Sequence, residues 1–360
     1  MPDKILLPDN PRILVTRADR LGDLVISTAV FPELRKKFPR AWIAALSFTE
    51  NRAVLEGNPS LDQVLLYDKK GSEKGIFGNL FFARRLAALH FDIVIHLHAT
   101  NRMHVTAWLA RIPRRIGWDR RLTWTLTHVF HDHKSEGKKH EGEYNFELLE
   151  ALGISAPETL QTFFPVSEKA RASVDFLLKK LDVPKDFPWV VLAPGASCPS
   201  KRWPVERFGY LADRIAEKYK VRFLAIGSAA DRELVEKLKA NCKVPVTDLT
   251  GRLNLEMLGA FLKEASLFVS NDSGPVHVAS AVRTPVVSIF GRRLPGLSPV
   301  RWRPLGLESR VAWKDVGCDP CLAHDCRIDF LCQQAVLVED VLKEVDFFAE
   351  RLKAGEEVYS

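Results

Sequence analysis

Short apolar runs alternate along this chain with stretches in which apolar positions recur every third or fourth residue, and turns rich in glycine, proline, serine and aspartate separate them. The runs read as strands buried on both faces and the periodic stretches as helices. Residues 12–17, 42–47, 64–67 and 92–98 are predicted strands, and 23–37 and 77–89 predicted helices. A second series begins with strand 188–195. A helix opened by Pro204 follows, with Phe208, Leu211 and Ile215 on its apolar face, then strand 221–227, helix 231–240 and a helix ending at Ala265. Residues 267–290 read as strand, polar turn, short helix and strand, and an amphipathic helix over 336–352 closes the pattern. This alternation predicts an α/β protein with doubly wound parallel sheets. Between 157 and 188 periodicity fades except in one amphipathic helix, 167–181, which places the domain boundary there. The expected division is 1–165, 166–335 and a terminal helix, 336–360, able to cross back onto the first domain.

The stretch 267–290 is the one around which the others can be arranged. Asn271 to Gly274 supply a tight turn, and Pro275 stands where the first helical position is expected. The first N–H groups of a helix lack intrahelical partners and carry the positive end of its dipole, so Asp272-Ser273-Gly274 is a natural seat for phosphate. Gly274 admits a ligand to the backbone, and His277 lies on the first turn. Asp272 or Ser273 could instead act only as a helix cap. A cap needs one such residue; here a carboxylate, a hydroxyl, a glycine and a histidine fall within six positions.

Three other turns carry candidate chemistry. Gly22-Asp23 follows the first strand, where Asp23 could be a general base toward a bound hydroxyl or a helix N-cap. The loop Ala196 to Trp203 places Lys201 where a helix end already favours anions; a solvated lysine beside a tryptophan is the alternative. Asp231 lies just beyond a strand end, where a ribose diol would be read, and is equally favourable to the helix dipole. The Gly-x-Gly-x-x-Gly fingerprint of dinucleotide dehydrogenases is missing.

Composition narrows the class further. With 360 residues, 46% hydrophobic and 27% charged, the chain reads as a globular protein of two domains. No apolar stretch approaches the roughly 20 residues of a membrane span, and the start lacks a secretory apolar core, which predicts the cytoplasm. A net charge of +7 suggests a polyanionic partner: nucleic acid, acidic glycolipid or a membrane surface. The basic residues of 102–140, with Trp108, Trp118 and Trp124 interleaved, read as a docking face for an anionic acceptor or lipid headgroups, or as a solvated charged face. Eight of the ten histidines lie between 90 and 140, and their positions suit core or surface better than metal binding. Cys318, Cys321, Cys326 and Cys332 could converge on zinc or an iron–sulfur cluster, staple a loop or remain free thiols.

These motifs together resemble the heptosyltransferases of lipopolysaccharide core synthesis, glycosyltransferase family 9. The carriers are Arg17-x5-Asp23 with Gly22, Ala193-Pro194-Gly195 with Lys201-Arg202-Trp203-Pro204, Thr250-Gly251, and Asn271-Asp272-Ser273-Gly274-Pro275-x-His277. The cysteine cluster looks like one in the branch that adds the second heptose. The resemblance covers essentially the whole chain and implies a GT-B fold, two Rossmann-like domains facing a central cleft, the first for acceptor and the second for an ADP-activated sugar. It implies Asp23 as the catalytic base. Ser197, Lys201, Asp231, Asp272, Ser273, Gly274 and His277 would bind the donor; Arg20, Arg120 and Arg121 are assigned to the anionic acceptor on their charge. Some relatives carry two hydroxyl residues before the lysine; this chain has Ala196-Ser197. The implied enzyme is an inverting, metal-independent glycosyltransferase with an ADP-sugar donor and an anionic glycolipid acceptor. It would need no cofactor, with a structural metal at the cysteines as an option, and would sit in the cytoplasm at the inner membrane's inner face without binding nucleic acid. Use of another nucleotide sugar, epimerisation, or noncatalytic binding of glycan or nucleic acid are the alternatives.

Overall fold

The computed structural model describes residues 4–353. The chain divides into two compact units, Met1–Pro165 and Val166–Ser360.

The first unit is built on a six-stranded parallel sheet in the order β3-β2-β1-β4-β5-β6, comprising β1 (Arg12–Thr16), β2 (Trp42–Phe48), β3 (Gln63–Tyr67), β4 (Ile93–His96), β5 (Arg114–Trp118) and β6 (His128–Phe130). Parallel strands need crossovers, and helices in those crossovers cover both faces, so the central strands are apolar on both sides. Val15 of β1 is paired with Ala45 on one flank and Ile95 on the other, all at or near complete burial. The order reverses between β1 and β4, which leaves the turns beyond these strands at a topological switch point.

The predicted helix 23–37 is two helices, Leu21–Ser27 and Val30–Lys37. Pro32 explains the break: it has no N–H and its ring crowds the carbonyl of residue 28. Thr28 at the joint turns its hydroxyl to the Val25 carbonyl and accepts the Phe163 N–H.

The second unit repeats the design in the order β12-β11-β10-β7-β8-β9. Its strands are β7 (Trp189–Ala193), β8 (Arg222–Ala225), β9 (Val246–Asp248), β10 (Leu267–Asn271), β11 (Val286–Ile289) and β12 (Ser309–Ala312). The switch point here lies between β7 and β10, so the turns that follow these two strands emerge side by side. Helix Val205–Ala216 covers the sheet with Phe208, Leu211 and Ile215, all fully buried. The C-terminal segment forms two helices, Val338–Asp346 and Ala349–Lys353, whose Val341, Val345, Phe348 and Leu352 are buried in this same core. Among the described residues no helix is long and apolar enough to cross a membrane.

Candidate active site

In the first unit the turn after β1 carries Arg17, Asp19 and Asp23. Helix Leu21–Ser27 begins after Arg20, which occupies the N-cap with no side-chain capping bond. Asp23 is therefore not the cap; it stands in the first turn with its carboxylate on Arg17, 2.7 Å away. Arg17 is only 3% exposed and also reaches Glu141 at 3.0 Å, Asp19 at 3.4 Å, Asn145 and the Leu97 carbonyl beyond β4. Lys134 donates to the same Glu141 oxygen at 3.0 Å, and His98 holds Asp19 at 3.2 Å. Burial works against the Arg17 charge, but Glu141, Asp23 and Asp19 outweigh it and hold the guanidinium above its ordinary value.

The same network sets the character of Asp23. Burial pushes its carboxyl up to about 6; Arg17 pulls the other way, while Asp19 and Glu141 add to the rise. The group is ionised at neutral pH, yet far more basic than a solvated aspartate, as general-base work requires. It remains 16% exposed, so a hydroxyl can approach. Sequence reasoning named Arg17 as part of a motif but missed Asp19, Glu141, His98 and Lys134. Glu141 lies more than a hundred residues away in sequence and could not be connected to Asp23 by spacing.

The second unit brings Lys201 and Asp272 together. Lys201 Nζ lies 2.8 Å from Asp272 Oδ2, and Arg292, which sequence reasoning missed, donates to the same oxygen at 3.1 Å. Asp272 is 4% exposed and Arg292 5%. One carboxylate oxygen thus holds two cations at the start of helix Gly274–Ala281, leaving a net positive charge where the helix dipole is also positive. The helix starts at Gly274 with Ser273 as N-cap, so Pro275 is its second residue rather than its first. Either position tolerates proline, because neither N–H has an intrahelical partner. The Ser273 hydroxyl bonds Ser270 at 3.1 Å instead of capping the helix, and His277 is buried on the first turn.

The two turns are locked by one buried side chain. Asn271 accepts the Trp203 N–H at 3.0 Å and donates to the Pro194 carbonyl at 2.7 Å. Trp203 is itself buried, with its indole N–H on the Val336 carbonyl at 2.8 Å and its ring edge-on to Phe208. Pro204, expected to open the following helix, is instead the residue before its first, Val205. Ser197 is exposed in the loop. Asp231 folds back onto Ser228 and its carboxylate lies close over Gly195, just past β7: a Cβ there would lie 2.6 Å away and push the side chain aside.

The cysteine-bearing segment braces this turn. His324 bonds the Ser200 hydroxyl, Gln333 donates to the Ser200 carbonyl at 3.0 Å, and Arg293 holds the Cys318 carbonyl at 2.7 Å. All six cysteines are free thiols. Burial, then the neighbouring Cys318, Cys326 and Cys321, raise the Cys332 thiol. The four are near one another, yet among the described residues no three His, Cys, Asp or Glu side chains are placed to hold a metal.

The stretch 102–140 differs from the expected basic aromatic face. Trp118 is buried, with Lys134 over its ring at 4.6 Å, and Lys134 is spent on Glu141. Arg115, on β5, is taken up locally by the Ile112 and Thr125 carbonyls. Trp108 and Trp124 do stand exposed as an edge-to-face pair, and Arg20, Arg120 and Arg121 point outward. His96 and His104 are core residues, their rings 4.8 Å apart and burial holding both below the usual histidine range.

Two six-stranded parallel sheets, each with its conspicuous polar residues at a switch point, form the architecture of the GT-B glycosyltransferases, and comparison with known proteins places the chain among them. The model of glycosyltransferase family 9 (heptosyltransferase) matches residues 80–331, and the chain belongs to that family. Lipopolysaccharide heptosyltransferase 3 of Escherichia coli K12 is 30% identical over 297 residues, 79% of this chain and 82% of that protein. Among solved structures, a glycosyl transferase family 9 protein from Veillonella parvula is 24% identical with a TM-score of 0.83, covering 96% of this chain and 99% of its own. The E. coli ADP-heptose lps heptosyltransferase II is 22% identical with a TM-score of 0.75, covering 94% and 98%.

Proposed function

We propose that this glycosyltransferase moves heptose from ADP-heptose to a lipopolysaccharide core acceptor with inversion at the anomeric carbon. The observation that carries the reading is the pairing of Lys201 and Arg292 on Asp272 at a helix N-terminus, in a chain of the heptosyltransferase family. Two cations and oriented N–H groups are what a departing diphosphate needs.

In this reading the second unit holds the donor. Lys201, Ser273 and Gly274 meet the diphosphate, Ser197 and Asp231 the nucleotide side, and Asp272 and His277 the sugar-facing part of the turn. Arg20, Arg120 and Arg121 attract the anionic acceptor. Asp23 takes the proton of the acceptor hydroxyl as its oxygen bonds the anomeric carbon; the bond from that carbon to the phosphate oxygen breaks, and ADP leaves with the electron pair. Positive charge fixed in the protein meets the charge that builds on the leaving group, so the step requires no cofactor. The cysteine cluster favours the branch that adds the second heptose. The enzyme would work in the cytoplasm, at the membrane where a lipid-linked acceptor is found.

Product analysis after offering ADP-heptose with a panel of truncated lipopolysaccharide acceptors tests the reading. A heptosylated core is expected; ADP release with no sugar on any core acceptor would overturn it. In the same assay Lys201→Ala should raise donor KM and weaken ADP binding roughly tenfold to a hundredfold, the loss of a hydrogen bond to a charged group. Metal content measured by elemental analysis tests the structural-metal option separately.

A further inference from the structure

Helix Gly75–Ala87 turns one face inward and leaves a second apolar face with nothing to cover it. Phe82, Ala83 and Leu86 are buried in the core of the first unit beside Leu65 and Tyr67. On the outer side Ile76 is 84% exposed, Phe77 87%, Phe81 64% and Leu80 41%. Positions i, i+1, i+4 and i+5 of a helix form one stripe, so these four side chains make a contiguous patch. A solvated helix would be polar here, and patches of this kind mark contact with another apolar phase.

The charges around the patch are one-sided. Lys70 and Lys74 precede it and Arg84 follows one turn later; all three are exposed and none has an ion pair among the described residues. The acids nearby are turned to local duties. Glu73 is 3% exposed and takes the Asp68 N–H, the Ser72 hydroxyl and Arg85, while Asp68 accepts the N–H groups of Lys70 and Gly71. What faces outward is therefore aromatic and aliphatic with a basic rim.

We infer that this helix is a docking surface for an anionic phospholipid bilayer, lying in the interface with Ile76, Phe77, Leu80 and Phe81 among the acyl chains and Lys70, Lys74 and Arg84 at the headgroups. An amphipathic helix with aromatic anchors and a cationic rim binds in this way. A second copy of the chain fits less well, because it would set one basic rim against another. The helix follows β3, at the same carboxyl edge of the first sheet where Asp23 follows β1. Docking would thus present a lipid-linked acceptor to the edge that carries the base; this last link rests on the proposed heptosyl transfer, whereas the docking does not.

The test is co-sedimentation of the full chain with vesicles of phosphatidylcholine alone or mixed with phosphatidylglycerol. The parent protein should bind the mixed vesicles and be partly released by salt. The double variant Phe77→Ser/Phe81→Ser should lose about tenfold or more of its partition. Lys70→Glu/Lys74→Glu should lose the preference for phosphatidylglycerol. Both sites are exposed, so the thermal midpoint and transfer to a water-soluble acceptor should stay as in the parent. Failure of the parent to bind, or equal binding by both variants, would overturn the inference. So would a parent dimer in light scattering that Phe77→Ser/Phe81→Ser converts to monomer, which would make the face an interface between copies. Vesicle binding without heptosyl transfer would instead sink the functional reading and leave the docking surface standing.

Discussion

Asp23→Ala is expected to lower kcat by about 10²–10⁴-fold, the range for loss of a general base, with ADP affinity unchanged. The separation follows from where the residues lie. Asp23 belongs to the network of the first unit, while Lys201, Asp272 and Arg292 belong to the second. Asp23→Asn keeps the shape and the contact with Arg17 but cannot accept the proton, and should be as inactive as the alanine variant. The parent should show the matching pH dependence. The carboxylate is the working form, so kcat/KM holds at neutral pH and falls as pH drops through about 6, the value to which burial raises Asp23. Calorimetry with ADP, steady-state kinetics and a pH profile check these points together. An Asp23→Asn enzyme with most of its turnover would remove Asp23 from the chemistry.

Arg17→Met should cost about 3–5 kcal/mol of stability, the usual penalty for stripping one partner from a buried charge network. Arg17 is the common partner of Asp23, Asp19 and Glu141, and without it Asp23 loses the cation that holds its carboxylate at 2.7 Å. The pH dependence distinguishes this from a simple packing loss. Arg17 lowers the Asp23 carboxyl in the folded protein, so its removal raises that group further above its unfolded value. A carboxyl whose folded value is raised binds more protons folded than unfolded, and stability grows as pH falls through the folded value. The deficit of Arg17→Met, measured by denaturant unfolding, should therefore be smaller near pH 5 than near pH 8. An equal deficit at both would mean that shape, not charge, is what Arg17 contributes.

Much of the fold could be read from the chain because central parallel strands are apolar on both faces and leave a continuous signal. Residues 12–17, 92–98 and 188–195 are such runs, and each corresponds to a central strand, β1, β4 or β7. The edge of the first sheet was harder to see. β5 begins Arg114-Arg115 and β6 is three residues with its middle one exposed, so both merged into what looked like a basic surface stretch. The edge strand β6, and the half-buried β5 beside it, carry polar side chains on their open side, which erases the run.

For the site, sequence alone picked out the turns proposed to carry the chemistry: aspartate after the first strand, lysine before Trp203, and the Asp-Ser-Gly-Pro turn before a short helix. Local composition suffices there, because a strand end followed by a helix start imposes its own residue types. Only the tertiary structure decided what those residues do to one another. Asp23 acquires its basicity from burial, with Asp19 and Glu141 adding to it against the pull of Arg17, and Lys201 meets Arg292 on a single oxygen of Asp272. A carboxylate's proton affinity and a cation's availability depend on burial and on charges a few ångströms away, and these are brought together by strand order rather than by distance along the chain.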